Sequence, residues 1–229
     1  MRSADLEEIR SLPLFRDMAP AHFAELTRGA YHQSFPPQVD LIVEGRPADF
    51  LHVITDGAVE LFARWNGRET TMAVVRPVST FILAACINDA PYLMSARTLV
   101  PSRVALIPGT DLRSVFARDP AFAQAIVREL AGSYRGVVRH AKNIKLRNSK
   151  ERLAAFLIAE CERNGRSRTF ALPYEKRIIA SYLGMTPENL SRALKQLRED
   201  GVTIDGATVD LADFDRLCAI ALPGRLMDR

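Results

Sequence analysis

The spacing of apolar residues changes several times along this chain, and each change marks a structural boundary. Leu6, Ile9, Leu12 and Leu14, then Phe23, Leu26 and Ala30, recur at helical intervals over residues 5–30. Pro20 stands at the start of the second of these short helices, where its missing N–H has no intrahelical bond to lose. From about residue 31 to 108 the period falls to two, and Gly and Pro become frequent. Residues 39–43 and 50–54 read as strands that end at Glu44-Gly45 and Asp56-Gly57. Residues 59–65 and 68–75 flank Asn66-Gly67, a dipeptide suited to the two positive φ angles of a type I′ turn, so they predict a hairpin. Residues 95–99 and 103–107 add two more strands, and short strands at this spacing predict a small β-barrel or jelly roll.

Helical spacing then returns. Residues 110–118 predict a short helix, and a long one runs from about Asp119 to Leu146 with Pro120 in its first turn. Ile126, Leu130, Ser133, Val137, Ala141 and Ile144 are apolar or small at gaps alternating between four and three, the seam of a coiled coil. That seam predicts a helix that pairs with a second copy of itself; the plainer alternative is a helix packed on its own barrel. Residues 145–150 read as a hinge. Asn148 is placed to cap the next helix, with Glu151 reaching back from three positions on, and that helix carries Leu153, Ala154, Phe156 and Leu157 before Asn164-Gly165 ends it.

Residues 176–197 carry the most specific pattern. Ile178, Ile179 and Leu183 form one apolar face, Ala180 is small where two helices must approach, and Gly184 supplies a tight turn. Thr186 is an N-cap, Pro187 takes the first helical position, and Leu190, Ala193, Leu194 and Leu197 form the buried side of the next helix. This is a helix-turn-helix. On the outer face of its second helix Glu188, Ser191, Arg192 and Lys195 make a single stripe. In a major groove, Glu188 can accept from cytosine N4 and Arg192 can fork onto guanine O6 and N7. Ser191 suits a base edge or a phosphate, and Thr186, Lys195 and Arg198 suit the backbone. The competing reading is a solvated face with an i,i+4 ion pair between Glu188 and Arg192. Residues 202–204 and 208–211, joined at Asp205-Gly206, predict a small hairpin that reads as the wing of a winged helix.

Charge sharpens this picture. The net charge of the 229 residues is +4, and between Lys145 and Asp200 twelve Lys/Arg stand against seven Asp/Glu, so the excess sits with the helix-turn-helix. No apolar run approaches the ~20 residues of a membrane span. Residues 1–9 are acidic and amphipathic, unlike a signal peptide, so the expected location is cytoplasmic. Cys86, Cys161 and Cys218 are an odd number, widely spaced and set among apolar neighbours, which predicts buried inert thiols. No nucleophile elbow, P-loop, zinc motif or paired acid and base stands out, so neither an enzyme nor a metal site is expected.

The order of barrel, long helix and winged helix-turn-helix resembles the CRP/FNR superfamily of bacterial transcription regulators over residues 12–211. Within it, Glu188-Asn189-Leu190-Ser191-Arg192 matches the E-x-x-S-R stripe of the FNR-like branch. The resemblance implies an α+β chain: a cyclic-nucleotide-binding-like β-barrel sensor domain over 1–118, a dimerisation helix over 119–146 and a winged helix-turn-helix over 147–229. It also implies a homodimer on double-stranded DNA at TTG…CAA palindromes, activating through RNA polymerase. The stretches LPLFRDMA, DFLHVITDGAVELFARWNGRETTMAVVRPVSTFILAACINDAPYLMSARTL and LGMTPENLSRAL resemble NnrR-type regulators, related to the Dnr group. That resemblance implies activation of denitrification genes in response to nitric oxide.

Two departures bear on the effector. Members that bind cyclic nucleotides use a Gly-Glu pair and an Arg-Ser/Thr-Ala triplet; residues 77–97 lack Gly-Glu, and Met94-Ser95-Ala96 puts a thioether where the phosphate-pairing arginine would be. Arg97 on a strand would point to the opposite face. Cyclic AMP is therefore not expected, nor is an iron–sulfur cluster, which needs clustered cysteines. Nitric oxide binds ferrous haem, which makes haem the cofactor to expect. Of His22, His32, His52 and His140, the candidate ligand is His52, inside a strand among apolar residues, with an ordinary buried histidine as the alternative. The apolar segment 81–87 reads as a pocket wall or as core, with Cys86 as a further ligand or redox candidate. The rival reading is a regulator that is constitutive, or answers another small effector or a redox signal without haem.

Overall fold

The computed structural model describes residues 3–228. Two compact units, Met1–Ser133 and Tyr134–Arg229, meet inside one long helix. Met1, Arg2 and Arg229, which the sequence assigns to the outer domains, lie outside the described residues.

The first unit opens with α1 (Ser3–Ser11) and α2 (Pro20–Arg28). Strands β1 (Tyr31–Phe35), β2 (Asp40–Ile42), β3 (Phe50–Asp56), β4 (Val59–Trp65), β5 (Arg68–Val75) and β6 (Ser79–Phe81) follow. Then come α3 (Leu83–Asn88), β7 (Ser95–Thr98), β8 (Ser102–Pro108), α4 (Gly109–Phe116) and α5 (Pro120–Leu146). The strands form two antiparallel four-stranded sheets, ordered β1-β8-β3-β6 and β2-β7-β4-β5, whose crossovers are those of a jelly roll. The β4–β5 hairpin turns at Asn66 and Gly67 with φ of +48° and +72°, as a type I′ turn requires.

β3 has both faces buried, which is why its sequence is nearly continuously apolar. Cross-strand partners share a face, so Leu51 and Val53 lie with Ile107 and Ala105, while His52 and Ile54 lie with Leu106 and Val104. α1 and α4 both pack against β3. There Asp5 binds Arg103 at 2.8 Å and His32 at 3.1 Å, tying α1 to the sheet. Asp119 fastens the start of α5: one carboxylate oxygen accepts from the Phe122 N–H at 3.0 Å, the other from the Ala19 N–H at 3.0 Å and His22 Nδ1 at 2.9 Å.

The register of α5 differs from the sequence expectation. Phe122 and Ile126 are buried in the sensor core, and Ile144 packs beside Gly184, so neither isoleucine is free for a partner. The exposed apolar stripe is Val127, Tyr134 and Val137, continued by Ala141; Val127, Tyr134 and Val137 are 62%, 70% and 66% exposed. The stripe keeps Val137 and Ala141 of the expected seam, while Val127 takes the place of Ile126, which is buried in the sensor core.

The second unit holds α6 (Ser149–Arg163), β9 (Thr169–Ala171), α7 (Lys176–Tyr182), α8 (Pro187–Arg198), β10 (Val202–Asp205), β11 (Thr208–Leu211) and α9 (Phe214–Ala221). Asn148 and Glu151 form the expected capping box, with bonds of 3.0 and 2.9 Å. The expected hairpin is β10–β11, and β9 adds a third strand to it. Leu153, Leu157, Ile179, Leu190, Leu197 and Leu217 are among the residues of a separate core.

Candidate nucleic-acid interface and sensor interior

α7 and α8 are joined by residues 183–186. Gly184 holds φ +62°, and a Cβ there would sit 3.1 Å from Ile144 Cδ1, so the turn needs glycine for conformation and for space. The Thr186 hydroxyl accepts from the Asn189 N–H at 3.2 Å, and Pro187 occupies the first turn. α8 buries Leu190, Ala193 and Leu197. Thr186, Glu188, Ser191, Arg192, Lys195 and Arg198 are all exposed, and the spacing of Glu188, Ser191, Arg192 and Lys195 sets those four on one face.

The ion pairing discriminates between the two readings of that face. Arg147, Lys150, Arg163 and Arg216 of this unit are held by Asp228, Asp200, Glu160 and Asp200 respectively. Among the described residues, Arg192, Lys195 and Arg198 have no such partner. The carboxyl of Glu188 is held below its ordinary range chiefly by the Thr186 hydroxyl and its own backbone N–H, with Arg192 the smallest contributor. The stripe is therefore not an internal salt bridge; its cations remain available to an anionic partner. The Ser191 hydroxyl donates back to the Pro187 carbonyl at 2.9 Å, an i to i−4 bond that the spacing of the stripe does not announce.

In the sensor unit, His52 is 3% exposed. Its ring lies 5.1 Å from Phe81 and 6.5 Å from Tyr92, centroid to centroid. Nδ1 is buried without a hydrogen-bond partner. Burial pulls its pKa down to about 4, against a smaller opposing contribution from the Phe50 backbone, so the imidazole is neutral at physiological pH. The Cys86 thiol and Tyr92 hydroxyl both donate to the Phe50 carbonyl, at 3.1 and 3.2 Å, and burial pushes each pKa up to about 12. Cys86 is thus an inert thiol on a short helix, part of the sensor core. The other histidines have structural partners: His22 on Asp119, His32 on Thr55 and Asp5, and His140 with its ring tilted against Tyr182, 5.0 Å between centroids.

On the second sheet, Arg97 lies on the face opposite Ala96, bound to Glu60 at 2.7 Å and Glu69 at 2.9 Å with its guanidinium 4.5 Å from the Phe62 ring centre. Met94 packs against the sensor core.

Two family descriptions match the chain: a cyclic nucleotide-binding domain over residues 32–119 and a Crp-like helix-turn-helix domain over residues 151–220. The chain is 26% identical over 210 residues to a CRP-like cAMP-activated global transcriptional regulator of Mycobacterium tuberculosis, covering 89% of this chain and 94% of that one. It is 26% identical over 181 residues to the nitrogen fixation regulation protein FixK of Rhizobium meliloti, covering 78% and 81%. The structure of FixK2 from Bradyrhizobium japonicum superposes with a TM-score of 0.75 at 25% identity, over 85% of this chain and 98% of that one. These relatives are regulators rather than enzymes. With the sensor fold, the long helix and the helix-turn-helix in this order, the chain belongs to the CRP/FNR family of DNA-binding transcription regulators.

Proposed function

We propose that this regulator acts as a homodimer on TTG…CAA palindromes, activating denitrification genes through RNA polymerase in response to nitric oxide. The observation that carries the DNA half is the exposed α8 stripe with its unpaired cations. Arg192 reads the guanine, Glu188 accepts from a cytosine N4 outside that base pair, and Ser191 meets a base edge or, by turning its hydroxyl away from Pro187, a phosphate, while Lys195, Arg198 and Thr186 hold the backbone. Dimerisation is supported by the exposed Val127, Tyr134 and Val137 stripe, which a monomer leaves in water. Two-fold symmetry places the recognition helices in successive major grooves, roughly 34 Å apart. The effector acts by population shift, favouring the arrangement that matches that spacing.

The nitric oxide reading rests on the sequence resemblance. Cyclic AMP does not suit this sensor: Arg97 is committed to Glu60 and Glu69, and Met94 cannot neutralise a phosphate. For haem, the neutral, unpartnered Nδ1 of His52 suits a ligand chemically, yet it is sealed from solvent beside Phe81 and Tyr92. An iron at bonding distance would displace its neighbours, so the packing does not fit the group. That observation favours the second reading, a sensor that answers a redox signal or another small effector without haem.

Anaerobic operator-binding titrations with and without nitric oxide, on protein with and without added haem, test the proposal. A nitric-oxide-dependent change in operator affinity supports it, and an affinity indifferent to nitric oxide under both conditions refutes the effector. Loss of a saturable haem absorbance band in His52→Ala would reinstate His52 as ligand.

A further inference from the structure

A groove of about 540 Å³ in the second unit lies between α6, α9 and the C-terminal segment, within the range of small-molecule sites. Its floor is apolar: Ala155, Ile158 and Ala159 from α6 and Phe214 from α9. Ala155 and Ala159 are one helical turn apart, and their short side chains keep the floor open. Arg166, Arg168 and Arg225 stand at its edge, all exposed, and none has an ion-pair partner among the described residues. Glu162 and Asp228 also line it, and these two carboxylates disfavour a multiply charged anion.

The remaining wall is tied to the joint between α5 and α6. Arg147, between those helices and 5% exposed at its side chain, grips Asp228 through two parallel bonds of 2.6 and 2.9 Å. It also donates to Asn143 Oδ1 at 3.1 Å, and the Gly224 N–H donates to Asp228 at 2.8 Å. Asp228 therefore touches the groove on one side and the interhelical joint on the other.

We propose that this groove binds a small amphipathic monocarboxylate, its hydrocarbon part covering Ile158 and Phe214 and its carboxylate pairing with Arg166 and Arg168, and that occupancy reaches the α5–α6 joint through Asp228 and Arg147. The guanidinium fork matches a carboxylate, and the apolar floor selects against a bare inorganic anion. The site is separate from the sensor interior and does not depend on which effector that interior takes.

Calorimetric titration of the full-length protein with octanoate, below its micelle-forming concentration, tests this. The expected result is saturable binding of one octanoate per chain. Binding weakens at least ten-fold in Arg166→Gln with Arg168→Gln, at least ten-fold in Ala159→Phe, and at least ten-fold when octan-1-ol replaces octanoate. The paired arginine variant changes only exposed side chains, so it reads out even where Ala159→Phe fails to fold. Octanoate should also change operator affinity in the wild type and not in Asp228→Asn. Absence of saturable heat, or binding indifferent to the arginine substitutions, overturns the site; inorganic phosphate binding as tightly as octanoate overturns the ligand class. Binding without any effect on operator affinity overturns the coupling through Asp228.

Discussion

Replacing His52 with leucine should change how stability depends on pH more than it changes stability itself. The ring is neutral in the folded state, with a pKa of about 4 against an ordinary value of 6.5. Between these values the unfolded chain binds a proton that the folded chain does not, so stability falls as pH is lowered through that window. At ~1.36 kcal/mol per pKa unit, the loss is about 2 kcal/mol at pH 5 and about 3 kcal/mol at pH 4. Cys86 and Tyr92 contribute nothing there, since both stay protonated far above it. At pH 7, His52→Leu removes the unpartnered Nδ1 and should be neutral or stabilising by about 1 kcal/mol. The assay is urea unfolding of both proteins at one protomer concentration and several pH values, since dimer stability depends on concentration. The difference between them should widen as pH falls, in favour of the leucine variant. Parallel losses of stability between pH 7 and pH 5 would refute the reasoning, because the folded-state ring would then titrate like a solvated one.

Three further substitutions follow from the packing. Asp119→Ala removes acceptors for the Phe122 and Ala19 N–H groups and for His22, and should cost about 2–3 kcal/mol in urea unfolding, with Asp119→Asn retaining part of the cap. Gly184→Ala forces a left-handed residue and a Cβ against Ile144, and should cost about 1–2 kcal/mol while weakening operator binding at fixed salt. Tyr134→Glu puts a charge in the exposed α5 stripe and should shift sedimentation from dimer toward monomer; an unchanged dimer would place the interface elsewhere.

Much of this structure was legible from local chemistry. Asn148 with Glu151, Asn66-Gly67, and Gly184 followed by Thr186-Pro187 each encode their geometry within a few residues, so the cap, the hairpin and the helix-turn-helix could be read directly. What escaped was set by distant partners. β6 and β9 are three residues long, and β1 is a largely polar stretch, Tyr31–Phe35, that becomes a strand only because β8 pairs with it. The segment after Phe81 is a helix bounded by left-handed residues, Ile82 at φ +63° and Asp89 at φ +50°, where the sequence offers no glycine as a signal. At the start of α5 the exposed stripe runs through Val127 rather than Ile126, because Ile126 belongs to the sensor core, which periodicity alone does not reveal. Arg147 and Asp228 are 81 residues apart, and nothing local announces their pairing. For the site residues, the sequence placed the α8 stripe on one face, and the structure adds that its cations have no partner of their own; it also supplies what His52 lacked in sequence, namely its sealed surroundings.

The most direct test of the central claim is the affinity of wild type and Arg192→Ala for a TTG…CAA duplex and for one with that guanine replaced, by fluorescence anisotropy at a single salt concentration. The account predicts that the wild type loses ~1–3 kcal/mol on the replaced duplex, a roughly 5- to 150-fold change, and that Arg192→Ala binds the two duplexes equally. Equal affinity of the wild type for both duplexes, or discrimination that survives in Arg192→Ala, would contradict the assignment of the α8 stripe as the surface that reads DNA.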